Sequence, residues 1–208
     1  FNNTRIGVRD AAGRLHLLWS DGQRVVHGVR SDSGEWSVRP ISAGASRTTK
    51  PTLAFAGEAL VAAWGGAQGH GEPVGFAAVS RDGGATWSEP VRISRGPAIN
   101  VTLCAFDGGA VVAWHTREEG RILAARWDGS RWAEPVVLNG DGDGDGADVS
   151  LAGAGRKLGM HSRNCSTKAA VSPLRISFSI WRTRSSMSQW APFSGSSSMM
   201  SGCSDART

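Results

Sequence analysis

The feature that most constrains this chain is a unit that recurs three times. The copies read GRLHLLWSDGQRVVHGVRSDSGEWSVRPISAG (13–44), GEALVAAWGGAQGHGEPVGFAAVSRDGGATWSEPVRISRG (57–96) and GGAVVAWHTREEGRILAARWDGSRWAEPVVLNG (108–140). Each opens on an apolar run ending in Trp19, Trp64 or Trp114 and crosses a polar loop into a second apolar run. Each then turns on Asp and Gly, meets a second tryptophan at 36, 87 or 132, and closes on a Val/Ile-rich run. One more short apolar run precedes every copy (RIGVRDAAG, PTLAFAG, VTLCAFDG), and a fourth such run, DVSLAGAG, begins at Asp148. The first tryptophans stand 45 and 50 residues apart, within the span of a four-stranded propeller blade, about 40–50 residues. Short Val-, Ile-, Leu- and Trp-rich runs between Gly/Asp turns predict an all-β chain, and no 3.6-residue apolar periodicity of useful length competes. The expected object is a β-propeller with three blades and the start of a fourth. A single blade cannot bury both of its faces, so stability has to come from stacking.

Charge narrows the partners. The chain has 23 Lys and Arg against 18 Asp and Glu, but this excess is local. Residues 1–154 carry 15 basic and 17 acidic side chains, whereas residues 155–208 carry 8 basic ones and a single acid, Asp205. The blade region therefore offers no basic face to a nucleic acid. The stretch 155–208 also holds all four Met and 14 Ser. It reads as a disordered basic linker, a different domain, or a stretch translated in a shifted frame, with a divergent fourth-blade segment as a further alternative. Phe178, Trp181, Trp190 and Phe193 argue against the linker, and the shifted frame is the favoured reading. The expected organisation is thus a propeller region over 1–154 and an atypical Ser/Arg-rich tail over 155–208. No apolar run is long enough to span a membrane. Cys104, Cys165 and Cys203 have neither disulfide-framework nor metal-ligand spacing, and Cys104 lies in an apolar run that suits a small core residue.

The turn of the second copy is more particular than the others. Ser80-Arg81-Asp82-Gly83-Gly84-Ala85-Thr86-Trp87 supplies a carboxylate that can accept backbone N–H bonds, glycines for φ > 0, hydroxyls that bond back locally, and an indole to pack between strands. This stretch resembles the Asp box of sialidases and related bacterial-neuraminidase-repeat propellers, and the resemblance covers residues 4–154. It implies a six-bladed propeller in which the box joins the third and fourth strands of a blade, away from the active face. Ser80, Asp82, Gly84, Thr86 and Trp87 are then structural. The turns SDSGEW (31–36) and WDGSRW (127–132) are degenerate versions in which Asp32 and Asp128 are expected to keep the role. The resemblance further implies export, a glycan partner, sialylated in the sialidases, and retaining exo-sialidase chemistry in a complete enzyme. A glycan- or protein-binding propeller without catalysis is the alternative.

In such propellers ligands sit where the blade-to-blade connections meet the loops between second and third strands. That face should carry Arg5, Arg47, Lys50, Asn100 and Asp148, together with Asp21, His70, Glu72, His115, Arg117, Glu118 and Glu119. Sialidases hold the substrate carboxylate with three arginines, whose planar forks match it. Arg5, in TRIG, resembles the first of these at Arg-Ile only, and Arg47 is a further candidate. Asp21, the only carboxylate in the first-blade loop, matches the acid/base Asp, although Asp-Gly is equally an ordinary hairpin turn. The nucleophile of the family is a Tyr, and this chain contains none. The tract NGDGDGDGAD sets Asp141, Asp143 and Asp145 before Gly146, the first half of a calcium loop, but Ala152 stands where a bidentate Glu would complete it. Calcium, as in an adhesion propeller, and a solvated Asp-Gly loop both fit this tract; no other cofactor is expected.

Overall fold

The structure, a computed structural model, describes residues 6–42, 47–67, 71–116, 120–139, 147–154, 157–163 and 178–180. Strands β1 (Gly7–Arg9), β2 (Leu15–Ser20), β3 (Val25–Arg30) and β4 (Trp36–Pro40) make one sheet in that order. Strands β5 (Arg47–Ala56), β6 (Ala59–Ala67), β7 (Val74–Ser80) and β8 (Val91–Pro97) make a second. Strands β9 (Ile99–Phe106), β10 (Gly109–His115), β11 (Ile122–Trp127) and β12 (Val136–Val137) make a third. These three are antiparallel meanders. In a fourth sheet, β13 (Ala147–Ala154) pairs antiparallel with β14 (Lys157–Arg163), and β14 pairs parallel with β15 (Phe178–Ile180). The chain is therefore all-β, a β-propeller with three blades and part of a fourth, and no helix occurs among the described residues.

Strand alternation gives every blade two apolar faces. The face toward the preceding blade, here the leading face, carries the repeated tryptophan. Trp64, stacked on Phe76 at 6.2 Å between centroids, packs with Leu53 and Leu60 against Leu18, Val25 and Ile41 of the first blade. Trp114, with Leu103 and Trp127, packs on the trailing face of the second blade, which is built from Ala54, Val61, Ala63 and Ala77. Cys104, Val111 and Ile122 then meet Val149, Leu151, Leu158 and Met160 of the fourth sheet. Trp64 and Trp114 are each 1% exposed. Trp19, their counterpart in the first blade, is only half-buried, because no described sheet lies on its side.

A polar clamp repeats as well. A residue at or next to the start of each third strand donates its N–H to a buried side chain in or just past the fourth. The pairs are Val25 to Ser42 Oγ (2.8 Å), Gly75 to Ser94 Oγ (2.8 Å) and Ile122 to Asn139 Oδ1 (2.6 Å). Each clamp satisfies a main-chain donor that burial would otherwise strand at roughly 1–3 kcal/mol.

At the opposite, lower end, the turn between β7 and β8 is wired through Asp82. Its Oδ1 accepts Thr86 N–H (2.8 Å) and the Ser80 hydroxyl (2.8 Å), and its Oδ2 accepts the Thr86 hydroxyl (2.5 Å). These donors, with Thr86 first, hold the carboxyl down at about 2. Ser80 Oγ also accepts Gly84 N–H (2.8 Å). Asp128 does the same work in the third blade, accepting Ser130 N–H (2.9 Å) and Arg131 N–H (3.0 Å). Asp32 does not. In the first blade Ser31 Oγ takes the Glu35 N–H instead (3.1 Å), in a turn one residue longer between its paired ends, Arg30 and Trp36, than the third-blade turn between Trp127 and Trp132. Adjacent blades are tied here by arginines reaching forward, Arg39 to Ala85 O and Arg81 to Gly129 O.

Beneath the second-blade turn lies a buried histidine pair. His16 Nδ1 is 3.1 Å from His27 Nε2 and the rings stack at 5.3 Å, while His16 Nε2 faces Asp10 Oδ2 at 3.4 Å. His16 also meets Phe55 edge-on, and His27 meets Trp87 in the same way. The charged groups around the pair are Asp10, Arg14 (bonded to Asp10 at 2.7 Å) and Arg39. Burial first, then the charges of His16 and Arg39, push His27 down to about 4 from 6.5. The unfolded chain therefore takes up a proton near pH 6.5 that the native state refuses until about pH 4, so stability should fall across that window as pH drops. Urea midpoints between pH 7 and 4 check this, with His27→Gln losing much of the slope while keeping a hydrogen-bonding side chain. Gly84 sits against the His27 ring with φ of +86°. Gly84→Ala should lower stability by about 1–3 kcal/mol through overpacking and the left-handed backbone, measured in the same experiment.

Candidate functional site

The upper end of the sheets gathers the loops between second and third strands and the connections between blades. Thr48 N–H donates to Gly22 O (3.0 Å), and Ser20 Oγ contacts Thr48 O (2.9 Å) and Thr48 Oγ1 (2.6 Å). Ala98 N–H donates to Pro73 O (2.7 Å) in the next blade. These bonds fix where the first strand of each following blade begins.

The same irregularity stands at the start of three of these strands. Register slips between Thr49 and Thr52 in β5, between Ile99 and Thr102 in β9, and between Ala147 and Ser150 in β13. The slips align Lys50-Pro51-Thr52-Leu53, Asn100-Val101-Thr102-Leu103 and Asp148-Val149-Ser150-Leu151. Lys50, Asn100 and Asp148 thus occupy one bulge position in three consecutive blades. Lys50 has φ of +51° and Asn100 +52°. Asn tolerates the left-handed region, whereas Lys does not, and the proline after Lys50 restricts it further. Such a conformation costs about 1–3 kcal/mol and persists where the surroundings enforce it, often where a ligand is handled. A cation, an amide and a carboxylate recur here at one structural position. The alignment of the three stretches was visible in the sequence; the bulge that makes it meaningful was not.

The other candidates fall around this arrangement. Asp21 lies in the β2–β3 turn, where its Oδ1 accepts Gln23 N–H (3.0 Å) and Arg24 N–H (2.6 Å), and its Oδ2 accepts Arg24 Nε–H (3.1 Å). The backbone donors of Arg24 and Gln23 hold its pKa below the usual carboxylate value, which suits a turn cap better than a proton donor. Arg47 is exposed at the upper rim and reaches Gly71 O at 3.4 Å. Glu72 is exposed in the β6–β7 loop, and His115 ends β10 half-buried. Arg5, His70, Arg117, Glu118, Glu119, Asp141, Asp143 and Asp145 lie outside the described residues. Ser80, Asp82, Gly84, Thr86 and Trp87 gather at the lower end, away from the bulges. Among the described residues no group of three or more His, Cys, Asp or Glu could hold a metal ion. Two surface grooves, about 420 Å³ beside Arg92 and Trp132 and about 300 Å³ among Arg9, Arg14 and Arg30, lie apart from the bulges.

No family model and no curated protein matches the sequence. Solved structures do match it in shape. An intramolecular trans-sialidase from Ruminococcus gnavus, in complex with oseltamivir carboxylate, superposes with a TM-score of 0.51 at 16% identity, over 73% of this chain and 36% of that one. An exo-β-1,3-galactanase from Phanerochaete chrysosporium gives 0.51 at 11% identity, over 72% and 41%. The Bacteroides ovatus xyloglucan PUL protein GH43B gives 0.50 at 14% identity, over 74% and 34%. The chain spans roughly a third to two fifths of the length of these proteins. At such identities the likeness is one of fold: the chain is a β-propeller of the architecture found in these glycosidases.

Proposed function

We propose that the protein handles glycans at its upper face, around the bulge residues Lys50, Asn100 and Asp148. The observation that carries this reading is the recurrence of a polar residue at the same bulge in three consecutive blades, left-handed at Lys50 and Asn100. Polar groups carried on adjacent strand ends are the arrangement that reads a polyhydroxylated ligand, each group offering a donor or acceptor from a rigid element. The fold likeness to glycan-acting proteins is in keeping with it.

A finer reading, exo-sialidase activity in the complete protein, finds support in the Asp-box stretch and in the cation Arg47 at the upper rim. Retaining sialidase chemistry requires a Tyr nucleophile, which these 208 residues do not supply. Within this stretch of chain the upper face is accordingly a binding surface. Calcium bound by Asp141, Asp143 and Asp145 remains a separate proposal, tested by the change in melting temperature on chelation.

Isothermal titration with a sialyllactose, a galacto-oligosaccharide and a xylo-oligosaccharide tests the reading. Lys50→Gly should cost little or no stability, since glycine accepts the left-handed backbone, while weakening glycan binding at least tenfold. Binding of none of the three sugars, or binding indifferent to Lys50→Gly and Asn100→Gly, would remove the reading. Preference for the sialyllactose, lost in Arg47→Ala, would carry the finer one.

A further inference from the structure

We infer that the histidine pair of the first blade is an acid-operated latch on the lower turn of the second blade, which opens ahead of the rest of the fold when His27 takes up a proton. The internal repeat singles this pair out. His16 stands three residues before Trp19, and His27 follows Val26, the residue paired with Trp19. The same positions hold Val61 and Ala77 in the second blade, and Val111 and Ala124 in the third, all of them buried. The junction between blades is thus built twice from aliphatic residues and once from two imidazoles, so stacking alone does not require histidine here.

The first blade holds three consecutive residues of that turn. A Cβ at Gly83 would lie 3.5 Å from Arg14 Nη2, Gly84 rests on the His27 ring, and Arg39 donates to Ala85 O. The groups facing the pair are Asp10 and Arg14 from the β1–β2 turn, Arg39 from β4, Phe55 from β5, and Gly84 and Trp87 from the turn itself. Asp82, in the same turn, keeps its carboxylate on Ser80 and Thr86. His16 Nδ1 and His27 Nε2, 3.1 Å apart, form one hydrogen bond, with one ring donating and the other accepting. Full protonation of both rings sets two N–H donors head to head, with the Arg14 and Arg39 guanidinium groups close by. Lifting the turn relieves this by letting water reach His27. Asp10 and Asp82, each held at about 2, stay ionised while the pH falls toward the value of about 4 at which the closed His27 charges. An opened His27 titrates near its ordinary 6.5, so opening gains on closure as pH drops from 6.5 to 4.

The test is hydrogen exchange by NMR on the 208-residue chain at pH 7 and pH 5, corrected for intrinsic rates. It reads the latch at the N–H groups of Gly84, Ala85 and Thr86, which are bonded within the turn. The N–H groups of Arg131 and Ala133 in the third blade, where the junction has no histidine pair, are the internal control. Protection at 84–86 should fall at least tenfold more than at the control groups between pH 7 and pH 5. In His27→Gln, with folding established by circular dichroism, that excess should vanish. His27→Ala, which restores the residue of the other two junctions, is the second variant and should lose it equally. A parallel loss at both turns signals global unfolding and would overturn the proposal. Protection at 84–86 that does not change with pH, or an excess that survives in a folded variant, would overturn it as well.

Discussion

Everything in this molecule follows from one constraint. A four-stranded sheet built of alternating apolar residues has two faces to remove from water, and a short meander has no core of its own in which to do so. The solution is stacking in which a tryptophan-bearing face meets a slimmer one. Trp64 against Leu18 and Val25, and Trp114 against Ala63 and Ala77, are two instances of the same contact. The alanine-rich interior of the second blade is the shape required by the indole that lands on it. Because interiors pack at crystal-like density, neither side can change volume alone.

Once the faces are stacked, the ends of the sheets are fixed by polar groups, and the two ends are treated differently. The lower end is densely hydrogen-bonded. Asp82 and Asp128 satisfy their own turns, Arg39 and Arg81 reach forward to the next turn, and the His16–His27 pair fills the junction of the first two blades. The upper end is clamped at Ser42, Ser94 and Asn139 but holds irregular backbone at Lys50 and Asn100. Of the three non-glycine residues with left-handed backbone among the described residues, Lys50 and Asn100 stand at the end where loops converge, and Asp107 stands in the β9–β10 turn at the other end. The pair at the bulges is what a site carried by a rigid frame would use.

Much of this was legible in the sequence. The tryptophan spacing and the Asp/Gly turns gave the blades, because period-2 alternation and turn chemistry are local properties. The hydrogen-bonding residues of the second-blade turn could be named for the same reason. What could not be read depended on register. Asp32 and Asp128 look alike as residues, yet only Asp128 sits beneath its donors, since one residue of turn length decides which side chain faces in. The clamp formed by Ser42, Ser94 and Asn139 hides in the endings RPIS, VRIS and VVLN, where Ser and Asn look unrelated until each is seen to accept the same N–H. The equivalence of Lys50, Asn100 and Asp148 needed the bulges, and the buried His16–His27 pair needed two strands in register at a blade junction.

The most direct test of the stacking account is equilibrium urea unfolding of Trp114→Ala. If the blades are held together by tryptophan-bearing faces on slim ones, this change leaves a cavity between the second and third blades and costs about 3–5 kcal/mol. A loss under about 1 kcal/mol would contradict the account, because the indole would then not be filling the contact on which the neighbouring blades depend.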